Sequence, residues 1–232
     1  MRTYGQYCAL AKGLDVIGDR WTLLIVRELI IRGEARYTDL RDGLPGIATN
    51  LLASRLKEME AAGVVERVEA PPPVATALFR LTPRGKQLER VIDAIGAWGV
   101  EMMKDAPKDD AFCSHWMTLP LRRALKDTAP SAVPAVIEVR AGEKGEEPIT
   151  VRAIDGTVRV HVGAAENPDA VVSGSPKIIY ALFRGEIDLA DARASGLKFT
   201  GDAAVLRRVQ PLAWPKSASS KAISSSKSRS PS

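Results

Sequence analysis

Between Tyr37 and Leu81 the hydrophobic pattern changes from helical to strand period, and few folds accept that order in so short a stretch. Ala48 to Ala62 (ATNLLASRLKEMEAA) is rich in good helix formers and is closed by Gly63. At about 100° per residue, Leu52, Leu56 and Met59 share an arc of roughly 60°, whereas Thr49, Asn50, Ala53, Ser54 and Lys57 share a different arc of roughly 140°. Upstream, Tyr37 to Gly43 (YTDLRDG) predicts a short helix with Thr38 as its N-cap, and Leu44-Pro45-Gly46 predicts the turn between the two helices. Downstream, Val64 to Glu69 alternates apolar and charged residues. Pro71-Pro72-Pro73 interrupts it, and Ala77 to Leu81 (ALFRL) resumes as a second strand. The order is helix, turn, helix and β-hairpin, the layout of a winged helix-turn-helix.

The two faces of the second helix have different chemistry. One is core. The other carries small and polar side chains, which let a helix sink into a major groove about 12 Å wide and present hydroxyl, amide and ammonium groups to base edges. On this reading Thr49, Asn50 and Ser54 reach bases, while Arg36, Lys57, Arg67 and Arg80 contact phosphates and position the protein without reading sequence. Arg55 lies nearer the helix flank, and Thr38 adds a hydroxyl on the helix before the turn.

An ordered series of residues from Tyr7 to Met103 resembles the HxlR family of bacterial winged-helix transcription regulators. It comprises Cys8, Leu14 to Ile25 (LDVIGDRWTLLI), Arg27-Glu28-Leu29, Arg36 to Leu40 (RYTDL) and Leu44 to Ile47 (LPGI). Leu52, Arg55 to Val65 (RLKEMEAAGVV), Leu81 to Gly85 (LTPRG) and Trp98-Gly99 complete it. Three positions depart from the family pattern. Ala48 stands where Ser is usual, so Thr49 is expected to take over as cap; Ala9 replaces Pro after the cysteine; and the Pro71 to Thr76 wing tip lacks the common basic or aromatic residues. The resemblance implies a homodimeric DNA-binding regulator, with repressor the expected sense. It also places Cys8 where some relatives carry a redox-sensing thiol. Lys12, one helical turn on, would favour the thiolate, and a cysteine simply buried at the dimer interface is the alternative.

After the hairpin, Thr82 as N-cap with Pro83 at the first helical position starts a long helical pattern. Leu88, Val91, Ile92, Ile95, Trp98 and Met102 line one arc of about 140°. That seam either packs on its own domain or pairs with the same helix, and with residues near Tyr4 to Leu10, of a second copy. The resemblance implies the second arrangement. A two-fold dimer sets its recognition helices roughly 34 Å apart and reads double-stranded DNA as a pseudo-palindromic operator.

Composition narrows the remaining classes. The sequence of 232 residues carries a formal charge of +5, but Lys216, Lys221, Lys227 and Arg229 supply +4 of it from residues 211–232, where there are no acids. Net charge is therefore no argument for DNA binding. No apolar run approaches the ~20 residues that span a bilayer, and no secretory signal opens the chain, so a cytoplasmic protein with no membrane partner is expected. Cys8 and Cys113, the only two cysteines, suit a reducing compartment.

The expected organisation is α+β. Residues 1–104 form the winged helix-turn-helix and dimerisation domain, 105–110 (DAPKDD) a linker, 111–214 an α+β domain, and 215–232 a disordered Ser/Lys tail. The tail is either a solvated end or a source of weak, salt-sensitive phosphate contacts. In the third region Ala135 to Ala141, Ile149 to Ala153, Thr157 to Gly163 and Ala170 to Ser173 predict strands, with Asp155-Gly156 as a tight turn. Pro176 to Arg184, capped by Ser175, and Leu189 to Ala194 predict helices, followed by a strand at Lys198 to Gly201 and a helix at Asp202 to Val209. The runs Asn167 to Pro176 (NPDAVVSGSP), Leu182 to Gly185 (LFRG) and Ala194 to Asp202 (ASGLKFTGD) resemble the sterol carrier protein 2 family. That resemblance implies a curved sheet covered by helices with an apolar tunnel; the residues alone allow a solid core equally.

Catalysis finds no support, and no cofactor is expected. His115 and His161 are the only histidines and nothing joins them to one site, Cys113-x-His115 falls short of a closed zinc site, and no Gly-rich phosphate loop follows a strand. The expectation is a non-enzymatic DNA-binding regulator with an apolar small molecule as effector. Trp116, Ile178, Ile179, Leu182 and Phe183 are apolar candidates for a lining or for ordinary core. The competing class is a lipid or acyl-chain carrier whose helix-turn-helix half serves mainly for dimerisation.

Overall fold

The computed structural model describes residues 3–69, 77–105, 107, 109–142 and 146–211. Helices Ala9–Ile17 (α1) and Thr22–Arg32 (α2) lead to a short strand Glu34–Arg36 (β1), helices Tyr37–Asp42 (α3) and Thr49–Ala61 (α4), and strands Val65–Glu69 (β2) and Ala77–Leu81 (β3). The three strands form one antiparallel sheet in the order β1-β3-β2, with Arg36 opposite Leu78 and Arg67 opposite Phe79. Ile25, Val26 and Leu29 of α2 pack with Leu40, Leu44, Leu52, Leu56 and Met59 and with Phe79 and Leu81 of the hairpin. The arc of α4 expected to face the core does so.

Two caps differ from expectation. Helix α3 begins at Tyr37, so Thr38 lies inside it. Its start is held instead by Asp39, whose carboxylate accepts from the Arg36 backbone N–H at 2.8 Å. An acid at the third helical position also complements the positive end of the helix dipole. At α4 the cap position stays with Ala48, and Thr49 is the first helical residue without a side-chain cap bond. Helix α4 is closed just beyond its end by Gly63, whose φ of 66° lets Val64 N–H reach the Met59 carbonyl at 2.9 Å.

The expected long helix after the hairpin is two segments. Thr82 Oγ1 accepts from Gly85 N–H at 3.0 Å and Pro83 opens a short helix Pro83–Lys86 (α5), as the sequence predicted. Gln87 and Leu88 then donate to Arg84 and Gly85, a three-residue spacing that tightens the chain before Glu89–Gly99 (α6) and a 3-10 turn at Val100–Asp105. Gly85 allows the return: a Cβ there would lie 2.1 Å from the Val64 carbonyl oxygen.

The second unit adds a 3-10 turn Ser114–Met117, helix Thr118–Ala124 (α7), and strands Leu125–Asp127 (β4), Ala135–Ala141 (β5), Ile149–Ile154 (β6), Thr157–Val162 (β7) and Ala170–Gly174 (β8). Helices Pro176–Phe183 (α8) and Leu189–Ala194 (α9), strand Lys198–Gly201 (β9), helix Ala204–Arg208 (α10) and strand Val209–Pro211 (β10) follow. The larger sheet runs β7-β6-β5-β8-β9, with β5 and β8 parallel and the other neighbours antiparallel; β4 and β10 pair separately. Positive φ angles at Asp155 (51°) and Gly156 (78°) make the two-residue hairpin turn. Ser175 caps α8 as expected. Ile137, Val139, Ile149, Val151 and Val172 face Ile179 and Phe183 in one core. The short strands β4 and β10, and α7, had no counterpart in the expected elements. The wing tip Pro71 to Thr76 and the tail 215–232 lie outside the described residues, as does part of the 105–110 segment.

Candidate nucleic-acid interface

Helix α4 is placed by the turn that precedes it. Leu44 is 1% exposed and anchors the turn in the core, and the Tyr37 phenol of α3 donates to the Thr49 carbonyl at 2.6 Å, tying the start of α4 to the helix before it. With Leu52, Leu56 and Met59 buried, Thr49, Asn50, Ala53, Ser54 and Lys57 are left exposed on the outer face. Ser54 Oγ donates to Glu58 Oε1 at 3.2 Å and Asn50 Oδ1 accepts from the Leu51 N–H at 2.9 Å, so both side chains rest on the helix they belong to.

The basic residues divide. Arg36, at the end of β1, is exposed, and so is Thr38 on α3. Arg67 is exposed on β2 with its guanidinium 5.8 Å from the Phe79 ring centroid. Arg80 on β3 is engaged by Glu66 at 2.7 Å and Glu34 at 3.2 Å, carboxylates on the two neighbouring strands. Those hydrogen bonds, Glu66 foremost, stabilise its charged form. Arg55 is half-buried, paired with Asp19 and with Glu58 at 2.8 Å, so it braces α4 against the turn between α1 and α2. A phosphate contact by Arg55 or Arg80 therefore requires exchange of an existing ion pair.

Several large apolar side chains are also exposed. Tyr4, Tyr7 and Leu10 near and within α1, and Ile95, Trp98, Met102 and Met103 on and after α6, are large hydrophobic side chains open to solvent in the single chain. Leu88 and Ile92 of the expected seam pack instead on the core of their own unit. Cys8 is exposed at the cap position of α1. Lys12 is 3.6 Å from Asp15 rather than directed at the thiol. Asp15 also accepts from Tyr4 N–H at 2.8 Å and Thr3 Oγ1 at 2.9 Å, and the Tyr4 bond is the main reason its carboxyl titrates below its ordinary value.

In the C-terminal unit Ile179 and Phe183 are buried core, Ile178 and Leu182 are half-buried beside them, and Trp116 points toward α2. An open cleft of about 460 Å³ is lined by Gly142, Ser173, Gly174, Ser175, Pro176, Gly196 and Lys198, mostly small residues with a single charged side chain. Burial pushes the Cys113 thiol up, His161 is exposed on β7, and among the described residues no group of three His, Cys, Asp or Glu side chains is arranged to hold a metal. Sequence reasoning missed Glu28, which is fully buried on α2, and Arg27, whose Nη2 donates to the Gly43 carbonyl at 3.2 Å. The available signal was a carboxylate three residues after Ile25, on the core-facing side of an otherwise apolar helix.

Comparison with known proteins matches residues 16–107 to the HxlR-like helix-turn-helix family and residues 121–213 to the SCP-2 sterol transfer family. Over 90 residues the chain is 34% identical to the uncharacterized HTH-type transcriptional regulator YvaP of Bacillus subtilis (strain 168), covering 39% of this chain and 82% of that protein. It is 32% identical over 103 residues to the uncharacterized HTH-type transcriptional regulator sll1512 of Synechocystis sp., covering 43% of this chain and 73% of that one. Against the uncharacterized HTH-type transcriptional regulator YtcD of B. subtilis it is 35% identical over 89 residues, 37% of this chain and 68% of the relative.

Proposed function

Because the chain belongs to the HxlR-like helix-turn-helix transcriptional regulators and carries an SCP-2 domain behind that unit, we propose that it is a homodimeric repressor of a pseudo-palindromic operator, with an apolar small molecule as its effector. The observation that carries the DNA half is the division of α4: its apolar face is sealed in the core while Thr49, Asn50, Ser54 and Lys57 are displayed together. Asn50 and Ser54 read base edges, and Arg36, Lys57 and Arg67 meet phosphates. Asn50→Ala should cost about 1–3 kcal/mol of operator binding and relax base preference, since a bidentate amide contact is lost. Arg36→Ala should weaken all sequences alike and flatten the salt dependence by about one unit. Fluorescence anisotropy on operator and random duplexes at several salt concentrations separates the two, and equal losses on both duplexes for Asn50→Ala would remove it from base readout.

Cys8 is the proposed redox site. Its exposure at the start of α1 gives an oxidant access to the thiol. Treatment with mild oxidant should change operator affinity in the native protein and leave Cys8→Ser unmoved. Identical responses from the two proteins would assign Cys8 to packing at the subunit contact.

The SCP-2 match favours a second reading, an acyl-chain or lipid carrier that uses its N-terminal half for dimerisation. A fluorescent fatty acid titrated into the full chain, followed by the same ligand added to the protein on DNA flanking its coding sequence, separates the readings. Ligand binding that releases DNA supports the regulator with an effector, and ligand binding without any sequence-selective DNA binding supports the carrier.

A further inference from the structure

Among the described residues, two sets of polar side-chain contacts join the units, one on α2 and one on α6. At the first, the Glu28 carboxylate of α2 is fully buried. Trp116 Nε1–H donates to its Oε1 at 2.9 Å, and His115 Nε2 lies 2.7 Å from its Oε2. Arg27 closes the same carboxylate at 2.8 Å and stacks its guanidinium 4.3 Å from the Trp116 ring centroid. Arg32, one turn on, pairs with Glu147 at 3.0 Å, and Ser114 holds that segment by donating from Oγ to the Glu147 carbonyl at 2.5 Å. At the second joint, Arg122 and Arg123 of α7 pair with Glu89 and Asp93 of α6.

The far side of the Glu28 carboxylate is the turn of the DNA-reading motif. A Cβ at Gly43 would lie 2.2 Å from Glu28 Oε2, so the carboxylate fills the space where any larger residue would project. Arg27, bound to Glu28, also holds the Gly43 carbonyl. Gly43 ends α3, and Leu44 begins the turn that sets α4. One buried charge is thus shared between the C-terminal unit and the segment that aims the recognition helix. A buried carboxylate stripped of a partner forces its surroundings to rearrange toward water.

From this geometry we infer that the C-terminal unit is a brace for DNA reading: His115 and Trp116, acting through Glu28 and Gly43, are positioning residues for α4. The inference rests on the DNA-binding function proposed above. The coupling runs through side chains packed between the units.

The test uses the full chain. His115→Ala combined with Trp116→Phe removes the two partners that the C-terminal unit supplies to Glu28; His115→Gln keeps Trp116 and sets an amide N–H in place of the imidazole; Glu147→Lys, at an exposed position, repels Arg32 without emptying the core. Each protein is checked for folding by circular dichroism and for domain separation by small-angle scattering, then titrated onto operator and random duplexes. The double variant should lose about tenfold in operator affinity, within the usual range of coupling between sites, with random-DNA affinity unchanged. Glu147→Lys should move the same way by a smaller factor, and His115→Gln should stay near the native value. Folded variants that keep native operator affinity would overturn the brace. Should the double variant not fold, Glu147→Lys decides by the same criterion. A native protein that does not distinguish operator from random DNA refutes the proposed function itself, an outcome visible before any variant is compared.

Discussion

Replacing Ile95 by Asp together with Trp98 by Ala should yield a folded monomer of 25.0 kDa that no longer distinguishes operator from random DNA. Helix α6 buries none of its residues completely, and Ile95 and Trp98 are 47% and 70% exposed, so the single chain does not depend on them for its core. They lie in one open apolar face with Met102 and Met103, and Tyr7 and Leu10 add a second apolar surface near α1. On the homodimeric reading proposed above, a second copy covers surface of that kind. An aspartate in the closed seam is a desolvated, unpaired charge, which opposes assembly far more than it disturbs the monomer. Operator affinity should fall by roughly 10³-fold or more, toward the non-specific level, because a single half-site is left. Sedimentation and a gel shift check the two parts together. A variant that remains dimeric, or a folded monomer with native operator affinity, contradicts the assignment of this face.

Asp127→Ala should destabilise the C-terminal unit by about 3–5 kcal/mol, the usual cost of removing one member of a buried ion pair. The Asp127 carboxylate is enclosed. It accepts from Arg208 at 2.8 and 3.0 Å, from Ala129 N–H at 3.0 Å and from Gly156 N–H at 3.1 Å. It therefore ties β4 to α10 and to the turn between β6 and β7, joining the beginning and end of the unit. Arg208 also donates to the carbonyls of Val133, Ala132 and Ala153, so the variant leaves its guanidinium held among neutral carbonyls without its counter-charge. The Arg208 hydrogen bonds are the main reason the Asp127 carboxyl is lowered from 3.8 to about 2. A depressed folded-state value means the contribution is whole above 3.8 and is lost as pH falls through about 2. Urea unfolding of native and variant proteins should thus show the full gap at neutral pH and a shrinking gap below pH 3.8. A gap that stays constant down that range would mean the pair contributes through packing alone.

The elements legible in the sequence are those whose signal is local. Helix α4 shows its faces at 100° per residue because Leu52, Leu56 and Met59 fall one turn apart, and Thr82-Pro83 marks a helix start through its own hydroxyl and ring. Asp155-Gly156 marks its turn because both positions need positive φ. What escaped depends on partners distant in the chain. Glu28 and His115 are 87 residues apart, and the Asp127–Arg208 pair joins a strand of three residues to a helix of five, both too short for a periodic pattern. Arg80 reads as a free cation until the strand register sets Glu34 and Glu66 beside it. Thr38 and Asp39 both suit the start of α3, and the choice between them follows from the path of β1 into the helix, which only the sheet defines.

Gly85 bears on how such a regulator diverges. With the Val64 carbonyl where a methyl group would have to go, the return from the hairpin into α5 tolerates no side chain. Side-chain exchange at Thr49, Asn50, Ser54 and Lys57 of α4 meets no such obstacle, because all four are exposed and none belongs to the core.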